Sequence, residues 1–350
     1  MSCILMPRFA LAAVLSLLCS PAVSAVMIDT VSVGDPGNAG EVKGQGTFGA
    51  VNYDYRIGTY EVTNSQYAEF LNAKAASDPL ALYNSVMDAD IRGGITQNGS
   101  SGSFTYSVKQ NMADKPVIWL SWYSALRFTN WLHNGQGNGD TETGAYLLTG
   151  GTPIPSNGNS ITRIAGARWF LPSEDEWYKA AYYDPTLNGG SGGYFDYATH
   201  SDLGPTVATA NSNGDISNPG TNIANYDRGA DWVNPSLTTD LTRGSVTTVG
   251  SAGPMSESYY GTYDQSGNAE EFLETFSLGS SSRLVRGGSF DTGLAVDISS
   301  AFHLSLNHAS TGNRTGFRVA AVVPEPSAFL LVFAAAACYK AKAYGNARRT

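Results

Sequence analysis

"LVRGGSFDTG" occupies residues 284–293, and "NRTGFRVA" follows at 313–320. An Arg-Gly-Gly-Ser-aromatic run looks at first like an active-site signature. The Gly-Gly pair has a second meaning: it lets backbone pass closely through a core, because glycine adopts left-handed conformations without steric cost. On that reading Arg286 and Phe290 hold a frame, and the chemistry depends on what the chain places between the frame's two ends.

Both termini read as addresses. "MSCILMPRFALAAVLSLLCSPAVSA" has one early base, Arg8, an apolar run from Phe9 to Leu18, and small residues before a cut after Ala25. That is a secretory signal, residues 1–25, and its run is too short to span a bilayer comfortably. Cys19 suggests a lipoprotein cysteine, but the bulky Leu18 precedes it. At the other end, residues 323–350, a Pro-Glu-Pro turn leads into an apolar run from Ala328 to Tyr339, then Lys340, Lys342, Arg348 and Arg349. The basic cluster would hold this end on the cytoplasmic side.

Between them, residues 26–322 suffice for one large domain with a substantial core. The net charge is −9, and more negative without the basic termini. Such a surface repels phosphates, which argues against nucleic acid partners, and tolerates cations such as calcium. The three cysteines, Cys3, Cys19 and Cys338, all lie in the termini. The interior therefore has no disulfide, no thiolate nucleophile and no thiolate metal site.

Glycine, 39 residues, and polar residues dominate, which predicts short elements joined by long turns. Alternation in "FGAVNYDYRIGTYEVT" (48–63) predicts a strand pair at the domain start. Helices are predicted over 63–77, capped by Thr63 or Asn64, over 121–135, and over 172–184, where Ser173 and Glu176 form a capping box. Arg168, Trp169, Leu171 and Trp177 are expected in the core. Glu174 and Glu176 invite an acid–base pairing, but capping explains Glu176 without chemistry. Long glycine-rich loops over 93–103, 134–160, 186–220 and 227–262 either carry function or are pinned by metal ions and side-chain hydrogen bonds.

Six ordered segments, "IGTYEVTNSQYAEFLN" (57–72), "KPVIWLSWYSALRFTNWL" (115–132), "RWFLPSEDEWYKAAYY" (168–183), "GTYDQSGNAEEFLE" (261–274), "LVRGGSFD" (284–291) and "GFRVA" (316–320), together resemble the formylglycine-generating enzyme, or sulfatase-modifying factor, family. The resemblance implies a single α+β domain, the family's variant of the C-type-lectin fold, with little regular secondary structure and long ordered loops. The C-terminal segment likewise resembles a PEP-CTERM sorting tail, which implies an exosortase as partner. The implied localisation is export, transient anchoring in the inner membrane by the tail, and release to the cell surface or extracellular matrix.

The resemblance also implies structural calcium. "DQSGNAEEF" (264–272) matches a calcium segment, with Asp264 and Glu271 as side-chain ligands and Gly267 and Ala269 as carbonyl ligands. Hard oxygens on a Gly-rich turn suit that ion. Glu270 stands where the family usually has tryptophan. A second site would use Asn225, Tyr226 and Asp240.

In the family's oxidases two cysteines after the Arg-Gly-Gly-Ser-aromatic motif bind copper and convert a substrate cysteine into formylglycine. Those positions are Thr292 and Asp297 here, which cannot serve as thiolates, so copper is not expected. His303 and His308, with Asp297, leave open a two-His-one-carboxylate site for another metal. No Gly-x-Ser-x-Gly elbow suggests a hydrolase. The expectation is a non-catalytic binding or structural module of the envelope or matrix. Its groove would offer Thr292, Asp297, His303 and His308 to an unidentified peptide, glycan or matrix ligand. The alternative is an oxidoreductase with a cysteine-free metal site.

Overall fold

The computed structural model describes residues 25–233, 244–277 and 281–323. The signal and the tail fall outside these except at Ala25 and Val323, and so does Asp240. Among the described residues no helix is long and apolar enough to cross a membrane.

Two four-stranded sheets carry the fold. Its principal elements, in chain order, are β1 (Thr30–Val33), β2 (Tyr55–Gly58), α1 (Asn64–Lys74), α2 (Trp122–His133), β3 (Trp169–Phe170), α3 (Glu174–Tyr182), β4 (Glu270–Phe276), β5 (Ser282–Arg286), β6 (Leu304–Asn307), β7 (Thr315–Gly316) and β8 (Ala320–Val322). The first sheet runs β1-β2-β8-β3 and the second β6-β5-β4-β7. In the first, β2 pairs antiparallel with both β1 (Thr30↔Gly58) and β8 (Ala320↔Ile57), so strands from the two ends of the domain flank one strand. In the second, β4 pairs antiparallel with β5 and parallel with β7. Short strands and long connections give a mixed α+β domain with little regular structure.

Local chemistry explains the helices. Thr63 caps α1 and Ser173 caps α3, each with a complete capping box closed by Gln66 and Glu176. Ser121 caps α2 through Ser124 N. Every residue from Trp122 to Leu132 is buried, so α2 is a core helix on all faces, as its apolar density requires. Around it Phe128 packs edge-on to Phe70 (5.4 Å) and Phe317 (5.4 Å), while Phe70 also meets Trp131 (5.3 Å). Such aromatic pairs add to area burial.

Two expectations change. The stretch 48–63 does contain strands, but they are not partners. Gly46–Phe48 pairs with Glu41–Lys43, and β2 pairs with β1 and β8. Between them Gly37 N bonds Val51 O (2.8 Å) and Gly49 N bonds Asp175 (2.8 Å), which holds the connecting segment away from a hairpin. Leu171 and Trp177 are fully buried. Arg168, by contrast, is exposed, with its guanidinium on the carbonyl of His133 at the end of α2 (2.6 Å). A cation suits that negative helix end.

Side chains pin the long loops. Asn130 Nδ2 donates to Thr141 O and Tyr146 O (both 2.9 Å), and its Oδ1 accepts from Tyr146 N (2.9 Å). Arg127, fully buried, ties Thr152 O and Pro153 O to Glu142. These bonds satisfy loop backbone that would otherwise be buried without partners.

Candidate functional site

The frame is built around Arg286 at the end of β5. Its side chain is fully buried, and Nε donates to Glu174 Oε1 (2.8 Å). Nη1 reaches Ser300 O (3.1 Å) and Phe302 O (3.2 Å), and the guanidinium lies over Phe48 (4.6 Å) and Tyr178 (4.8 Å). One buried cation thus joins β5, α3 and the segment after 299, and the carboxylate of Glu174 keeps it paired. Glu174 and Glu176 do not act as a couple. Glu176 closes the capping box and accepts from Arg163 (2.6 Å), while Glu174 faces Arg286.

Gly287 (φ 93°) and Gly288 (φ 63°) follow, both left-handed. A Cβ on Gly288 would lie 2.6 Å from Ile298 Cγ2 and 3.0 Å from Asp297 O. The chain therefore needs glycine for conformation and for space. Gly288→Ala is expected to destabilise the domain by about 2–4 kcal/mol, combining left-handed strain with overpacking. Urea unfolding reads this, and a loss under about 1 kcal/mol would contradict the close approach.

The next turn is closed on itself. Ser289 N donates to Thr292 Oγ1 (2.9 Å), Ser289 Oγ donates to Asp291 (2.8 Å), and Thr292 N returns to Ser289 O (3.0 Å). Thr292 O accepts from Asp227 N (2.8 Å). The Thr292 hydroxyl is therefore a turn cap. Phe290 is fully buried against Ile118, Val246 and Ala269. Arg314, overlooked in the sequence, stands between Asp291 (3.5 Å) and Glu270 (3.9 Å). Glu270 is buried and accepts from the Thr315 hydroxyl (2.6 Å), which completes a polar bracket with Arg314.

The structure brings two of the four groove candidates close together, since Thr292 Oγ1 and Asp297 O lie 3.1 and 3.0 Å from where a Cβ on Gly288 would be, and it sets the histidines in separate surroundings. Asp297 lies in a single 3-10 turn, Ala295–Ile298, beneath Gly288. His303 precedes β6 with Nδ1 2.6 Å from Glu174 Oε1, edge-on to Phe48 (5.7 Å). His308 follows β6 and is buried against Trp122 (5.3 Å) and Phe276 (6.0 Å), with Nδ1 3.1 Å from the Tyr123 hydroxyl. The two histidines therefore have separate surroundings. Among the described residues no three His, Cys, Asp or Glu side chains form a metal shell. The family's copper does not fit either: Cu(I) needs soft sulfur, and Thr292 offers an oxygen already used in its turn.

Burial, aided by the charge of Arg283, pushes His308 from histidine's ordinary 6.5 down to about 4. Its folded value lies below its unfolded value, so the unfolded chain binds more protons between them. Stability is therefore lost as pH falls from about 6.5 toward 4. At pH 5 the loss from this group is on the order of 2 kcal/mol. Urea melts at pH 7.5 and pH 5 measure it, and in His308→Gln this share of the pH difference should vanish.

The calcium residues have mixed positions. Both Glu271 oxygens face Arg318, at 2.6 and 2.7 Å, and Trp177 Nε1 adds a third bond (2.8 Å). Asp264 accepts from Gly250 N (2.6 Å), and burial raises its carboxyl to about 6. Beside it lies Glu61, 1% exposed. Glu61 Oε1 accepts from Asn268 (3.0 Å), but Oε2 is buried without a partner. Burial, then the charge of Asp264, drives this carboxyl well above the usual range. Glu61 also lines, with Asp29 and Thr63, a cavity of about 30 Å³, enough for one water or ion; Asp264 is not in its lining. An orphaned carboxylate oxygen beside a second acid fits a hard cation. Glu61 carries no local sequence signal, because alternation would turn a residue between two buried positions to the opposite face. At the second set, Asn225 Nδ2 binds Ser245 O (2.9 Å) and Asn268 Oδ1 (3.1 Å), and Oδ1 is buried without a partner. The Tyr226 hydroxyl donates to Pro205 O (2.7 Å).

The family described as "Sulfatase-modifying factor enzyme 1-like domain" matches residues 44–323. Among solved structures, the chain is similar to Treponema denticola variable protein 1 at 16% identity, over 86% of this chain and 98% of that one, with TM-score 0.50. It is also similar to CarF at 20% identity, over 85% and 99%, with TM-score 0.51. At such identities the likeness bears on fold alone. No curated protein matches.

Proposed function

Because the chain belongs to the family of sulfatase-modifying factor enzyme 1-like domains, we propose that it keeps the family's frame and has given up its oxidase chemistry. It is an exported, surface-sorted module that binds or builds in the envelope or extracellular matrix. The observation that carries this is Thr292. Its hydroxyl caps the Ser289 turn at 2.9 Å, in a position where the oxidases place a copper thiolate. Export rests on the signal-like start and the PEP-CTERM-like tail, with an exosortase as processing partner.

In this reading calcium takes the structural part that disulfides play in other exported domains. Asp264 and Glu61 supply carboxylate oxygen, and carbonyls of the 264–269 turn complete the shell. Glu271 serves the fold through Arg318. Asn225 and Tyr226 belong to a second candidate position, with Asp240 as its acid.

Metal analysis of the protein purified without chelator tests the reading. Calcium near one or two equivalents with no copper or iron is expected. Stoichiometric copper or iron, with oxygen consumption, would establish the oxidoreductase instead.

A further inference from the structure

One cavity lies apart from the Thr292–Asp297 turn. The loop 80–85, the start of α2, residues 153–154 and Ala309 enclose about 420 Å³. That is within the size range of small-molecule sites. Its lining contains no Asp, Glu, Lys, Arg or His, in a chain with 30 acids and 21 bases. What it offers is aromatic surface from Tyr83, Trp119 and Tyr123, with neutral hydrogen-bonding groups from Asn84, Ser121 and Thr311.

The walls are held from behind. Asp78 accepts from Leu82 N (2.8 Å) and Tyr83 N (3.0 Å), fixing the loop. Arg127 fixes the facing wall through Pro153 O (3.0 Å). Asn84 Nδ2 reaches Thr311 Oγ1 (3.2 Å) across one edge. The cavity is thus preformed.

Two wall residues are also strained. Ala81 has φ 48° and Trp119 φ 66°. For a bulky side chain such a conformation is a genuine outlier. Trp119 N donates to Gly312 O (2.9 Å), which maintains it, yet the indole nitrogen is buried without a hydrogen-bond partner. No polar contact of the indole accounts for the strain. Strained backbone of this kind clusters at ligand sites.

We propose that this cavity binds a neutral saccharide of one or two pyranose rings. A pyranose has apolar C–H faces for Tyr83 and Trp119, and hydroxyls that can insert at the Asn84–Thr311 hydrogen bond on the cavity edge. A charged ligand would lose its hydration here without gaining an opposite charge. The inference goes beyond the function proposed above and does not rest on it, since the cavity shares no residue with the Thr292–Asp297 segment.

Saturation-transfer NMR and calorimetry with the purified full chain test it. The probes are glucose, galactose, mannose, N-acetylglucosamine, maltose and cellobiose, with glucuronate and triglycine as charged and peptide controls. At least one neutral sugar is expected to bind with a dissociation constant of about 1 mM, as its atom count allows. Thr311→Trp, on the exposed rim, should weaken that binding by about tenfold or more while the melting curve stays unchanged. Ser85→Trp, at a second lining position, serves if the first variant misfolds. The proposal is overturned if no neutral sugar binds, if both blocking variants bind as well as the parent, or if only glucuronate or triglycine binds.

Discussion

Arg318→Met is expected to destabilise the domain by about 3–5 kcal/mol, the usual cost of leaving one partner of a buried ion pair alone. Against a typical total of about 5–15 kcal/mol, this brings the protein near unfolding. Arg318 is fully buried and donates twice to Glu271, to Gly58 O (2.9 Å) and to Tyr263 O (2.8 Å). Its removal leaves Glu271 charged and buried in the neighbourhood of Asp264 and Glu61. Adding Glu271→Met removes that stranded charge and should recover a large part of the loss. Urea unfolding of the four proteins in the cycle measures the coupling. A single-variant loss below about 1 kcal/mol would show that Arg318 is not the counter-charge of this cluster.

Calcium is expected to stabilise the protein strongly at pH 7.5 and weakly at pH 5. Burial raises Asp264 to about 6, above the usual carboxylate value of 3.8. The folded state therefore holds its proton more tightly than the unfolded chain does. Through this group alone, metal-free stability falls as pH rises from about 4 to 6, and the charged form costs about 3 kcal/mol above that. A bound cation offsets that cost, and protons compete with it below pH 6. Saturating calcium should add about 3–4 kcal/mol at pH 7.5, as expected for a ligand far above its dissociation constant. Comparing the calcium-induced shift at the two pH values cancels the opposite contribution of His308. Glu61→Gln should reduce the gain at pH 7.5. An equal shift at both pH values, or none, would remove calcium from this cluster.

The helices were legible because their ends are written locally. Thr63 with Gln66 and Ser173 with Glu176 are capping signals within four residues of each other. The strands were not. β2 is four residues long, and its partners are β1 and β8, so alternation within 48–63 could not reveal its pairing. The fold class came through because six motifs in order specify a topology that no single short strand does. The details of the candidate site were hidden for the same reason as the pairing. Glu271 meets Arg318 across 47 residues, and Glu61 meets Asn268 across 207. His303 and His308 looked like a ligand pair from spacing alone, but the four residues of β6 separate them and deliver each to different neighbours. The Gly-Gly pair does signal close passage from sequence alone, whereas its partners, the Asp297 carbonyl and the Ile298 side chain, come from the fold.

A frame kept without oxidase chemistry is tested most directly by incubating the purified protein with copper(I), oxygen and a cysteine-containing sulfatase-type peptide, followed by mass spectrometry of the peptide. The predicted result is an unchanged cysteine beyond what free copper produces. Protein-dependent conversion of that cysteine to formylglycine would contradict it.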